Sequence, residues 1–414
     1  MNSINIRSIT YSIDLKKIKN STYQDDIKNN INKIVSVYKE NNTFIRTVRL
    51  NVLVIDKCPK DDKIFIEELK ILSSFATSID VRWFNLAFDL TNMSQKDQKR
   101  ITKLSYYIIK KFENAFINFI IAKDNEINVS ASLITAKLIV DVSQLSSNGF
   151  DNFRVGVSLN PKKYTPFFPF SYSNKENSFS IAMEITEEFL NIVEKESTLE
   201  NIKKSVYKNI GEYLSKINTL GLDCNNNEME YNGMDISLAP FPDKNISVVE
   251  ILHKLGLDEI GASGTYFYTS ILTDIIKSTL NIHNIKSVGF NGVMYSLLED
   301  HLLCNANNRK MLSINQFIAY STMCGCGLDM VPVPGNILIE ELSSIILDTA
   351  AVAVKLDKPL GVRVLPIPNK ENNEFTEFDM DFLTNTRIVN LKNLYGDDSI
   401  FEMKNLVYDN KGHK

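Results

Sequence analysis

Cysteine is scarce in this chain of 414 residues: five, an odd number, at Cys58, Cys224, Cys304, Cys324 and Cys326. That scarcity argues against a disulfide framework in so long a chain, and the thiols read as reduced. It also argues against structural zinc, which draws on C-x2-C spacing plus a second pair, and no second pair exists here. Histidine is rarer still, at four residues. Neither H-E-x-x-H nor a Ser-His-Asp order appears, so neither metalloprotease nor triad chemistry is indicated. His301, directly after Glu299 and Asp300, is the one histidine with ionisable neighbours. No stretch reaches the roughly 18 apolar residues of a membrane span. The opening "MNSINIRSITYSIDLKK" has no apolar h-region behind a basic one, so a cytoplasmic protein is expected. An excess of positive charge is missing too: 46 Lys and Arg stand against 50 Asp and Glu, with lysines and acids interleaved. Nucleic acid is therefore not an expected partner. No G-x-G-x-x-G follows a strand and no Walker loop is present.

What is present is alternation. "IRSITYSI" and "RTVRLNVLVI" are β-branched runs, and each precedes a charged stretch with apolar residues at helical spacing, such as "DDKIFIEELKILSSFA". The same succession continues through "VRWFNLAFDL", "NFRVGVSLN" and, in the second half, "MEYNGMDISLAPFP", "KSVGFNGVM" and "LGVRVLPIP". Strand followed by helix, repeated, predicts an α/β protein with a largely parallel sheet. In such folds the loops beyond the carboxyl ends of the strands carry the chemistry. Four of them hold unusual residues. "DNFRVGVSLNPKKYTPFFPFSY" places Arg154 in a strand-like run, with a helical run containing Glu184 after it. "ISLAPFPDKNIS" offers Asp243 or Asn245 as a helix cap. "GASGT", Gly261, Ala262, Ser263, Gly264 and Thr265, opens a helix whose first amides could take an anion or could simply be capped. "CGCGLDMVPVPGN" puts Cys324 and Cys326 in a glycine-bracketed turn followed by Asp329. A thiolate nucleophile and an inert buried cysteine are both open readings there. Glycines 325 and 327 supply dihedrals that side chains resist, and Pro332 and Pro334 stiffen the exit, which would present Cys324 at the tip of an interior loop.

Taken in order, "DNFRVGVSLNPKKYTPFFPFSY", "ISLAPFPD", "GASGT", "GFNGVMYSLLED", "CGCGLDMVPVPGN", "AVKLDKPLGVRVLPIP" and "TEFDMDFLTNTRI" resemble an uncharacterised prokaryotic family, domain of unknown function 711. The resemblance runs from "IRSIT" to about residue 390. It implies the fold of the glycyl-radical enzymes exemplified by pyruvate formate-lyase: a ten-stranded α/β barrel, two parallel half-sheets of five strands set antiparallel, with a loop inside. The Arg-Val-x-Gly-Tyr type of glycine loop is absent, so non-radical chemistry is expected. The family has a small or apolar residue where Cys326 stands.

The expectation is a single barrel-like domain over residues 1–395, a C-terminal extension over 396–414, and a homodimer. Two functions are open: an enzyme acting on a small carboxylate-bearing metabolite in the barrel interior, or a non-catalytic metabolite-binding protein using the same pocket. For the enzyme, Cys324 is the candidate nucleophile or acid, Glu184 and Asp329, with Asp379, the proton-transfer groups, and Arg154 and Arg363 the carboxylate binders. Gly261, Ser263, Gly264 and Thr265 form a candidate anion turn. Asp379 and Asp381 alternate in "FDMDF" and could share one face as a cation site or stand as solvated charge. The sequence names no cofactor.

Overall fold

The structure, a computed structural model, describes residues 4–162, 164–226, 228–242, 246–391 and 405–407. Five strands form a parallel array in the order β1 (Asn5–Ile13), β2 (Ile45–Val52), β3 (Trp83–Asp89), β4 (Ala115–Lys123) and β6 (Val155–Leu159). Helices connect them: α1 (Ser21–Glu40), α2 (Asp62–Ser78), α3 (Gln95–Lys111) and α4 (Val129–Ser143). Each begins at a side-chain cap, from Asn20, Asp61, Ser94 and Asn128 respectively, which satisfies first-turn amides that the helix itself leaves bare. A short strand, β5 (Glu126–Asn128), pairs with the end of β4 and with β11 (Asn405–Val407). Within the expected C-terminal extension, only 405–407 are described.

Beyond β1 the sheet continues antiparallel into β7 (Ser178–Glu184), which is parallel to β8 (Glu230–Asp235). Beyond β6 it continues antiparallel into β10 (Leu360–Ile367), which is parallel to β9 (Gly327–Pro334). The result is a mixed 11-stranded sheet of an α/β fold. The second half carries α5 (Thr186–Lys195), α6 (Leu199–Ser205), α7 (Gly211–Asp223), α8 (Val248–Lys254), α9 (Thr265–Ile282), α10 (His301–Asn308), α11 (Ile314–Tyr320) and α12 (Ile339–Lys355). Asp243 and Asn245 lie outside the described residues, and the cap of α8 is Ser247.

The two faces of the first array differ in chemistry. Ile9, Leu50 and Phe84 belong to the main apolar core, whereas register aligns Ser8 with Thr47, Thr10 with Arg49 and Ser12 with Asn51 on the opposite face. That polar face holds the loop "TPFFPFSY". Asn85 and Asn118 donate to the Ser171 carbonyl at 2.8 and 3.2 Å, and Thr10 donates to the Pro166 carbonyl at 3.0 Å. Phe170 fits only because Gly156 on β6 and Gly361 on β10 lack side chains: a Cβ at Gly361 would lie 2.6 Å from its ring.

Several expected elements take another form. Arg154 ends a 3-10 turn, Phe150–Arg154, instead of lying in a strand. Glu184 closes β7 and no helix contains it; α5 starts two residues later. Residues 327–334 are a strand within the sheet despite two prolines, so "GLDMVPVP" is not the exit of an interior loop. "KSVGFNGVM" makes no regular strand, and the cause is a buried carboxylate. Asp235 accepts from the amides of Ser237 at 2.9 Å, Phe290 at 2.6 Å and Asn291 at 3.2 Å, so amides that a ladder would use point at a side chain. Residues 287–296 keep isolated parallel bridges to both edges of the sheet, from Ser287 to Met234 and from Ser296 to Asp329, with a further one between Val293 and Leu238.

Candidate functional site

A cleft of about 860 Å³ opens over the polar face, and its walls concentrate the chain's arginines. Nine arginines occur in the sequence, and five line this cleft: Arg7, Arg46, Arg49, Arg82 and Arg363. They come from β1, β2, the residue before β3, and β10. Most therefore sit in the amino-terminal halves of the parallel strands, opposite to the carboxyl-end loops that the fold class predicts.

The arginines are interleaved with aromatic rings. The Arg49 guanidinium lies 5.3 Å from the Trp83 ring centroid and 5.1 Å from that of Phe168. Arg82 lies 4.5 Å over Trp83, Arg46 lies 4.0 Å over Phe241, and Arg363 lies 5.2 Å over Phe153. Such stacking fixes the cation's plane and leaves its N–H edge for another acceptor. Trp83 is the one tryptophan of the chain.

Two of the five guanidiniums are neutralised. Arg46 makes a two-point pair with Glu184, at 2.6 and 2.9 Å. Arg363 makes a two-point pair with Asp329, at 2.6 and 2.9 Å, with Glu299 3.9 Å away. The Arg363–Asp329 pair sits at a β-bulge: Leu328 aligns with Val362 and Val331 with Val364, so Asp329 and Met330 together oppose Arg363. Met330 adopts the left-handed region at φ 51°. A bulge re-aims side chains, and here it turns Asp329 toward the guanidinium and the cleft. Burial pushes the Asp329 carboxyl above its ordinary value, although Arg363 opposes the shift.

Arg7, Arg49 and Arg82 make no ion pair with a carboxylate among the described residues. Arg7 donates to the Pro240 carbonyl at 3.2 Å. Arg49 is 9% exposed, and its Nε donates to the Thr47 hydroxyl at 3.2 Å. Burial, then the nearby charge of Arg7, pulls its guanidinium down to about 9.

Of the candidates read from the sequence, Asp329 and Arg363 line the cleft together, with Asp381 at its rim. Glu184 stands behind the wall as the partner of Arg46. Arg154 faces elsewhere, donating to the carbonyls of Phe112 and Ile109 at 2.7 and 3.0 Å and pairing with Asp151. The "GASGT" turn is closed on itself: Thr265 accepts from the Gly261 amide at 3.1 Å and donates to the Ala262 carbonyl at 2.8 Å. Gly261, Ser263, Gly264 and Thr265 are away from the cleft. Asp379 is exposed and does not join Asp381 in the lining, and no metal-binding cluster of His, Cys, Asp or Glu occurs among the described residues. Asp300 is a buried double cap, accepting from Ser247 at 2.5 Å and from the Val248 and Leu302 amides.

Cys324 is 1% exposed and does not line the cleft. The adjacent Cys326 thiol, then the charge of Lys358, holds the Cys324 thiol below its ordinary value. Cys326 packs with Phe167, Phe170 and Met294, directly beneath the cleft wall. Gly325 matters here for close approach, since its Cβ would lie 2.8 Å from Gly292.

Arg7, Arg46, Arg49 and Arg82 escaped the sequence reading, and Glu299 entered it only as a neighbour of His301. For Arg49 the signal was the alternation of Thr47, Arg49 and Asn51 with Val48, Leu50 and Val52, a cation on the polar face of a strand whose second half is wholly buried.

Comparison with known proteins gives a family. The model of the family described as "Uncharacterised ACR (DUF711)" matches residues 1–385. Among curated proteins, a UPF0210 protein of Lacticaseibacillus paracasei is 32% identical over 185 residues, 44% of this chain and 40% of that one. A UPF0210 protein of Clostridium perfringens is 26% identical over 263 residues, 61% and 57% respectively. A UPF0210 protein of Pyrobaculum arsenaticum is 32% identical over 145 residues, 35% and 32%. The chain thus spans between about a third and three-fifths of the length of these relatives. With the family model covering nearly the whole sequence, the chain belongs to the DUF711 family.

Proposed function

We propose that this protein binds a small anionic metabolite in the arginine-lined cleft. The observation that carries the reading is Arg49, a buried guanidinium with no carboxylate partner among the described residues, facing a cavity large enough for a ligand. An unpaired charge is costly to bury, and a ligand of opposite sign in the cleft would offset that cost. If the ligand is turned over, Asp329 and Glu299 are the acids at hand for proton transfer, while Cys324 would need the wall to move. The sheet, on this reading, closes through residues 287–296 into a ten-stranded ring like that of pyruvate formate-lyase. The isolated bridges to both edges support that closure.

The test is a thermal-shift panel on the full chain, pairing small carboxylates and phosphates with their amides and alcohols at constant ionic strength. Anions should raise Tm by a few degrees near saturation, and Arg7→Gln should reduce the shift. Equal shifts from the neutral counterparts, or none from any anion, would reject the reading.

A further inference from the structure

The distribution of charge around the cleft narrows the ligand class. Arg46 and Arg363 already hold carboxylates in two-point pairs. The cations that remain are Arg7 on β1, Arg49 on β2 and Arg82 just before β3, from three adjacent positions in the sheet, and all line the cleft. Arg49 is the most enclosed of them, and its two terminal nitrogens donate to no group among the described residues. Arg7, Arg363 and Arg82 all press on it with like charge, and Glu299 opposes them. A monocarboxylate would offer this wall a single charge on two coplanar oxygens, enough for one guanidinium fork. A phosphate monoester offers a charge near −2 at neutral pH and three acceptor oxygens in a tetrahedral array, which suits several forks converging from different strands.

Part of the lining has the opposite character. Glu299 accepts from the Ser296 hydroxyl at 2.6 Å through Oε2, and its Oε1 meets no donor among the described residues. Asp329 shares the Arg363 guanidinium with Glu299, so a second anionic group would be repelled there and a hydroxyl or ammonium donor accepted. A volume of about 860 Å³ leaves room for a molecule with a body, beyond the phosphoryl group alone.

We infer that the cleft binds a small organic phosphate monoester as its dianion, phosphoryl group on the Arg49 fork between Arg7 and Arg82, with a hydroxyl or ammonium group directed at Glu299. This rests on the anion-binding reading above and adds to it the charge state and orientation of the ligand.

The test is calorimetric titration of the full chain with phosphoethanolamine and ethyl phosphate, against β-alanine and propionate as matched carboxylates, at fixed ionic strength. At pH 7.5 each phosphate should bind at least about tenfold more tightly than its carboxylate, and phosphoethanolamine more tightly than ethyl phosphate. Between pH 7.5 and 5.5 the phosphates should weaken as they take up their second proton, whose pKa lies near 6, while sulfate, dianionic throughout, should not weaken with them. Arg49→Met should abolish the preference for phosphate while leaving the unliganded Tm unchanged or higher. Arg82→Gln, at an exposed position, should weaken phosphate by about tenfold without touching the core. Equal affinity for phosphates and carboxylates would overturn the dianion assignment and leave the anion reading intact. No binding by either would overturn both. Phosphate affinity indifferent to both variants would overturn the placement at Arg49.

Discussion

Cys324 shows how much a single residue's meaning depends on its surroundings. In sequence it has the marks of a nucleophile: glycines between and after the two cysteines, at 325 and 327, and an acid nearby. In the fold its neighbours are the Cys326 thiol and Lys358, which hold its proton loosely, but the same packing seals it from solvent. Reactivity requires a thiolate and access together. A small thiol reagent should therefore label partly exposed Cys58 first in the native protein, with Cys324 and Cys326 reacting only on the timescale of unfolding. Rapid native labelling of Cys324, located by peptide mapping, would reveal an opening motion that restores it as a candidate nucleophile. Arg49 is the converse case: unremarkable in "RTVRLNV", yet set apart by the carboxylate it lacks.

At the scale of elements, β1 is joined antiparallel to β7, and a side-chain clamp reaches over that seam. Glu184 at the end of β7 grips Arg46 at the start of β2, with β1 between them. Burial pushes the Glu184 carboxyl up, but the hydrogen bond from Arg46 and the charges of Arg7 and Arg46 outweigh it, and the net shift is downward from 4.5. A lowered folded value means that the clamp stabilises the fold above the ordinary carboxyl range and loses its contribution as pH falls through the folded value. Glu184→Gln should accordingly lower stability to urea at pH 7, with the gap from the parent closing as pH approaches 3. A gap that stayed constant with pH would mean that the carboxylate's charge contributes nothing. The regular elements were legible in the sequence because apolar periodicity and caps at Asn20, Asp61 and Ser94 are local signals. The irregular ones were not. Asp235 disrupts a strand more than fifty positions away in sequence, and the Asp329 bulge exists only as a misalignment between β9 and β10. Neither relation leaves a trace in either segment read alone.

For the whole molecule, the class of fold and the family could be read from ordered motifs, whereas the candidate site could be read only in part. Asp329 and Arg363 were visible because they lie inside those motifs. Arg7, Arg46, Arg49 and Arg82 were not, because what unites them is the adjacency of β1, β2 and β3 in the sheet, which gathers residues 7, 49 and 82 around one cleft. The expectation that chemistry gathers at carboxyl-end loops also drew attention away from the strand starts where these arginines sit. The loop "TPFFPFSY" is what turns that end into a cleft: asparagines of the inner face hold its backbone, and its phenylalanines supply the aromatic side of the wall.

The position of Trp83 gives the molecule a built-in optical gauge. Because no other indole contributes, tryptophan emission reports on one ring, with the Arg49 and Arg82 guanidiniums 5.3 and 4.5 Å from its centroid. An anion drawing those cations toward itself would alter the field across the indole and so its emission colour and yield. Titration with an anion that fills the cleft should change the emission in a saturable way, while Arg49→Met and Arg82→Gln should each shift the spectrum of the unliganded protein. Emission indifferent to a ligand whose binding heat is measurable would locate that ligand somewhere other than this wall. A property that ordinarily averages over many places in a protein thus reads, in this chain, a single one.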